Sequence, residues 1–186
     1  ITHSDSGLEA NHIPMLLGQS EGKDVLQGHL SKANPLWKNI TDGSEVLIVF
    51  HGPNSYISPN YYPTKQETGK VVPTWNYVTV HVKGAITFIH DESWNMELIT
   101  NLTDQHEAGQ LKPWSVSDAP KDFTKKMLSA IVGLQIDISS IVGKWKVSQN
   151  QPEKNKLGVV AGLSQCSESE SLKMAAIVQD HIVEGS

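Results

Sequence analysis

The sequence predicts an α+β protein, mainly β, in which a barrel or strongly bent antiparallel sheet carries attached helices. Three observations predict it. From Thr74 to Lys83, β-branched and aromatic residues alternate with period two. Short apolar runs at Asn11–Leu17, Val25–Leu30, Glu45–Phe50 and Leu134–Val142 read as further strands. The helical patterns cluster late in the chain and do not alternate with strands, which disfavours a doubly wound α/β fold.

Taken in order, NHIPMLL (Asn11–Leu17) reads as a buried strand, turning at Ser20–Gly22 into VLQGHL (Val25–Leu30) as its hairpin partner. These two strands precede the first helix signal. In SKANPLWKNI, Ser31 caps one helical turn that Pro35 interrupts. EVLIVF (Glu45–Phe50), bounded by turn residues and apolar throughout its interior, predicts a central strand buried on both faces. The loop from Tyr56 to Pro73 holds Pro59, Pro63 and Gly69 and feeds the Thr74 strand, with Lys65 or Lys70 able to fold over its open end. Such an arrangement suits a ligand site, although Trp75 and Tyr77 are equally the large core residues of a long strand.

Two helices follow. The first spans about Trp94–His106, capped by Asp91 or Ser93 and ended by Gly109. The second spans about Pro120–Ile131, with Phe123, Met127, Leu128 and Ile131 as its apolar stripe. Leu134–Val142 is the last strand, and GKWKVSQN then presents Lys144, Trp145 and Lys146. Beyond Pro152, helices are expected over Lys156–Leu163 and Leu172–Val183, joined by SQCSESES.

At 186 residues the chain suits one domain with a helical appendage. The formal charge of −5 argues against a broad cationic face for nucleic acid, so direct DNA binding gains no support. All 15 basic residues are lysines, so no bidentate guanidinium clamp exists and an anion must be held by Lys, His, hydroxyls or backbone. Cys166 is the single cysteine, which excludes an intrachain disulfide and fits a reducing cytoplasm. No apolar run approaches the roughly 20 residues of a membrane span. Because position 1 is Ile and lies against an expected strand end, a preceding segment is expected upstream.

The eight histidines are scattered, without HExxH or cysteine partners, and predict no metal site. GxSxG, GxGxxG and the Walker pattern are missing, which removes the hydrolase elbow and the glycine-rich phosphate loops. GHLSKANP remains: a strand end delivering His29, Ser31 and Lys32 with free amides of a starting turn can hold a phosphate, or is simply a capped polar turn. GKWKVSQN pairs an indole with two lysines, or is a solvated strand end.

Together, GLEANHIPMLL, GHLSKANPLW, VFHGPNSYISPNYYP, GKVVPTWNYVTVHVKG, LTDQHEAG, PWSVSDAP, IVGLQIDI and GKWKVSQN cover nearly the whole chain and resemble the PaiB-type FMN-binding negative transcriptional regulators. The resemblance implies a split β-barrel, shared with flavin reductases and pyridoxamine-phosphate oxidases, as one domain over 1–186 with 152–186 as a helical C-terminal extension. It implies a homodimer binding FMN where subunits meet. The phosphate would lie against His29, Ser31, Lys32 and Asn34; Trp75 and Asn76, or Trp145 and Lys146 from the second subunit, would line the ring. Where the family commonly carries Arg, this chain has Lys32, a point charge without the planar fork, which implies a weaker grip on phosphate. No basic recognition helix is visible, so regulation would be indirect. A flavin-dependent oxidoreductase is the alternative. Haem binding, known among related split barrels, ranks last because no histidine matches a ligand position.

Overall fold

The computed structural model describes residues Ile1–Val183. Its first nine residues already form a hairpin that periodicity did not reveal: β1 (Thr2–Ser4) pairs antiparallel with β2 (Gly7–Glu9). With three residues each, neither strand is long enough for an alternating pattern to register.

The main sheet starts with β3 (Leu16–Ser20) and β4 (Lys23–Ser31), antiparallel with Ser20 opposite Lys23. Between them Glu21 and Gly22 take left-handed backbone (φ 51° and 76°), the combination a two-residue hairpin needs to match strand twist. The hairpin is the expected one, but the strand begins at Leu16, leaving Asn11–Met15 irregular. Four strands, not two, thus precede the first helix. That helix is one turn, α1 (Leu36–Asn39), and Pro35 starts it instead of interrupting it. Proline fits this place because the first helical N–H groups need no intrahelical partner. Asn34, not Ser31, bonds the turn, its Oδ1 accepting from Leu36 N at 2.9 Å.

β5 (Glu45–Ile57) is an edge strand, because the sheet order is β3, β4, β7 (Ile131–Lys146), β6 (Thr74–Ile89), β5. This corrects the expectation of a central strand buried on both faces. Of Glu45–Phe50 only Val46 is fully buried. Pro53 lies within the same strand, and proline, having no N–H for a ladder, belongs on an edge. β6 carries the alternation predicted from Thr74 to Lys83 and runs on, as expected, through Ile89.

The helices follow their signals more closely. α2 is a short Thr64–Thr68 segment, and a 3-10 turn at Pro59–Tyr61 precedes it. α3 (Glu92–Glu107) is capped by Asp91, whose carboxylate accepts from Trp94 N at 2.7 Å. α4 (Lys121–Ser129) buries Thr124 and Leu128, while Phe123 and Met127 are exposed and Ile131 belongs to β7, so the expected stripe is corrected. α5 (Glu153–Leu163) and α6 (Ser169–Val183) are the two C-terminal helices, each beginning three residues before its expected start. The result is the expected α+β class, with a five-stranded antiparallel sheet. Among the described residues, no helix is long and apolar enough to cross a membrane.

The chain divides into two compact units, to both of which β5, β6 and β7 contribute. The first, Ile1–Ile48 with Val82–Ile141, buries Val25, Leu30, Leu36, Val82, Leu98, Leu134 and their neighbours. Each such side chain contributes about 1.5–3 kcal/mol by leaving water. The second, Val49–His81 with Val142–Ser186, is built around Ile57, Tyr62, Val78, Val147, Val159, Leu163, Met174, Ala175 and Val178. Two glycines let α5 approach the 3-10 turn: a Cβ on Gly158 would overlap the Tyr61 carbonyl, and one on Gly162 the Tyr61 ring.

Candidate functional site

The second unit contains a cavity of ≈ 500 Å³, within the range of about 300–1,000 Å³ usual for small-molecule sites. One wall comes from the loop between α2 and β6. Gly69 ends α2 in left-handed backbone (φ 65°), donating to Lys65 O at 2.9 Å. Lys70, Val71 and Val72 then run along the cavity to Thr74 and Asn76. Of the two lysines expected over this end, Lys70 lines the cavity, whereas the Lys65 ammonium donates to Asn60 Oδ1.

The opposite wall is the turn after β7. Ser148 is held in left-handed backbone (φ 63°), a strained state for a residue with a Cβ. Its hydroxyl accepts from the Asn76 amide at 2.9 Å. Gln149 secures the turn, Oε1 accepting from Val147 N at 2.8 Å and Nε2 donating to Trp145 O at 2.6 Å. Asn155, buried in the first turns of α5, accepts from Thr64 Oγ1 at 3.1 Å and donates to Gln151 Oε1 at 2.9 Å. It thereby ties the two walls together.

The cavity's formal charges are both positive, Lys70 and Lys146. Among the described residues, no carboxylate, imidazole or thiol lines it. Lys146 Nζ donates to Thr74 Oγ1 at 2.7 Å and lies 5.9 Å from the centre of the Tyr77 ring. A site of amides, hydroxyls and two ammonium groups binds and orients a polar or anionic ligand but holds no ordinary general base.

The residues singled out in the sequence separate into two sets. Asn76 and Lys146 meet at the cavity. Trp75 and Trp145 do not line it; both indoles are about half exposed, and Trp75 meets Tyr56 edge to face at 6.0 Å. His29, Ser31, Lys32 and Asn34 belong to the first unit. There Lys32 Nζ donates to Ser129 O at 2.7 Å, Ser31 Oγ accepts from Ala33 N at 3.2 Å, and Asn34 Nδ2 donates to Asn11 Oδ1 at 2.7 Å. His29 Nδ1 is buried with no partner among the described residues, and burial lowers the imidazole's pKa, favouring the neutral ring. Thr64, Ser148 and Asn155 were missed as site residues. The polar run after Trp145 was the available signal, but the partners it meets lie some seventy to ninety residues away.

Residues 1–140 match the sequence profile of a family described as "Putative FMN-binding domain". The cavity's second wall, from Lys146 to Asn155, lies past that match. An uncharacterized protein of Emericella nidulans is 32% identical over 93% of this chain and 82% of its own length. Protease synthase and sporulation protein PAI 2 of Bacillus subtilis is 27% identical over 93% of this chain and 81% of its own length. Among solved structures, the FAD and heme binding protein of Mycobacterium smegmatis aligns with a TM-score of 0.47 and 16% identity, over 80% of this chain and 64% of that one. The flavocytochrome Anf3 of Azotobacter vinelandii aligns with a TM-score of 0.44 and 18% identity, over 72% of this chain and 54% of that one. This chain therefore spans about half the flavocytochrome's length.

Proposed function

The chain belongs to this FMN-binding domain family, and we propose that it acts as a PaiB-type regulator, a cytoplasmic homodimer that binds FMN and represses indirectly, through its flavin-loaded form. The observation that carries the reading is the donor set of the second unit: Asn76, Ser148 and Lys146 converge on a cavity with no carboxylate among the described residues. A flavin ring has a polar edge of carbonyls and ring nitrogens, which an amide and a hydroxyl can read. An ammonium beside it favours the negative charge that a reduced flavin carries. The residues therefore fit the cofactor.

In this reading Asn76 and Lys146 orient the ring and Trp75 and Trp145 cover it at the subunit contact, while the family resemblance assigns the phosphate to the segment from His29 to Asn34. Ser31, Lys32 and Asn34 take the polar contacts. Neutral His29 adds no charge and holds the strand end. Support for a homodimer comes from β7, an interior strand whose residues from Asp137 to Lys146 are exposed except for half-buried Ile138. Ile141, Val142 and Trp145 stand in that exposed stretch, and a second copy would remove them from water. Indirect regulation is supported by the resemblance to the PaiB-type regulators and by the acidic charge of the chain.

A flavin-dependent oxidoreductase is the second reading, favoured by Lys146 because a cation at the ring stabilises the reduced cofactor. The test is an absorption spectrum after mixing with FMN and desalting. A retained flavin band is expected; a colourless protein overturns the assignment. Bleaching of that band by NADH or NADPH separates the oxidoreductase from a regulator that retards promoter DNA, directly or with a partner, without turnover.

A further inference from the structure

We propose that the cavity of the second unit carries a second ligand position, built on Lys70, for a small organic anion bearing a carboxylate or phosphate. The inference rests on the flavin reading only for the ring's place beside Asn76 and Lys146.

The argument begins with where the charges go. Lys146 is already engaged by Thr74 Oγ1 and the Tyr77 ring. Lys70 makes no ion pair and no side-chain hydrogen bond among the described residues. Its natural partner would be Glu67, three residues earlier in α2. Both Glu67 oxygens, however, are held by Lys154 Nζ, at 2.6 and 2.7 Å. The local carboxylate is thus occupied from α5, and Lys70, exposed on the cavity lining, keeps an unpaired charge among the described residues.

The backbone that presents Lys70 is fixed. Its N–H donates to Thr68 Oγ1 at 3.2 Å, and the following Val71 N donates to Gly69 O at 3.0 Å. A flexible ammonium on a fixed base, facing a wall of amides and hydroxyls, recognises an anion as a point charge. With two cations and no carboxylate on the lining, electrostatics favour an acidic ligand over a neutral or basic one. The ≈ 500 Å³ of space is enough for a small anion at the Lys70 end.

The experiment is calorimetric titration of the purified full chain, free and FMN-loaded, with citrate as the carboxylate probe and inorganic pyrophosphate as the phosphate probe. At least one probe is expected to bind, and the preferred probe assigns the chemistry. Lys70→Ala should weaken that binding about tenfold, as loss of a charge-assisted contact does. Lys70→Arg should restore most of it, and Lys144→Ala, an exposed lysine outside the cavity, should change nothing. Binding of neither probe, or equal binding by wild type and Lys70→Ala, overturns the proposal. Lys70-dependent probe binding by a protein that takes up no FMN keeps the anion position and overturns the flavin reading alone.

Discussion

Asn76 and Ser148 hold each other in both directions: the amide donates to the hydroxyl at 2.9 Å, and the hydroxyl returns a bond to Asn76 Oδ1 at 3.3 Å. Asn76 is almost wholly buried, so Asn76→Ala leaves the Ser148 hydroxyl without its partner and should cost about 1–3 kcal/mol in urea unfolding. Ser148→Gly loses the same pair but relieves the left-handed backbone of a non-glycine residue, and should cost less. The reverse ranking would show that the pair does not brace the turn.

Gly158 and Gly162 make a prediction whose sign is informative. In an open helix Gly→Ala gains up to about 1 kcal/mol of propensity. Here a methyl at 158 meets the Tyr61 carbonyl and Pro63, and backbone yields poorly, so Gly158→Ala should lose about 1–3 kcal/mol net. Exposed Leu157 on the same helix is the comparison, and Leu157→Ala should shift the unfolding midpoint little.

Burial lowers the pKa of His29 below its ordinary 6.5. As pH falls through about 6.5, the unfolded chain takes up a proton that the native ring refuses, so native stability drops until the lowered folded pKa is reached. His29→Gln should flatten that part of the stability–pH curve. Parallel curves for variant and wild type would place the pH dependence elsewhere.

Lys32 is exposed, and its ammonium now rests on the carbonyl of Ser129 at the end of α4. A phosphate at Ser31 and Asn34 would compete for it. Lys32→Ala should therefore lower FMN affinity about tenfold in a fluorescence titration, with the subunit number unchanged in sedimentation. Equal affinity would move the phosphate away from this segment.

What could be read in the sequence was whatever local chemistry determines. Thr74–Ile89 announced itself by alternation, α3 by the Asp91 cap, and the first long hairpin by the turn at Glu21 and Gly22. Position in the sheet was not local. β5 looked central because its residues are apolar, and only Pro53 hinted at an edge. The site was half legible for the same reason. Asn76 and Lys146 stood in distinctive segments, but that Asn155 would meet Thr64, or that Lys154 would take Glu67 and leave Lys70 alone, depends on how distant segments pack.

The core of the second unit also has an order in time. Five of its nine buried members, Val159, Leu163, Met174, Ala175 and Val178, lie on α5 and α6, while Ile57, Tyr62 and Val78 are made far earlier. During synthesis the apolar side of the early strands must wait, uncovered, until the last helices leave the ribosome. This half of the protein is thus the one whose yield should depend on chaperones that hold nascent chains, and the one most sensitive to a premature stop.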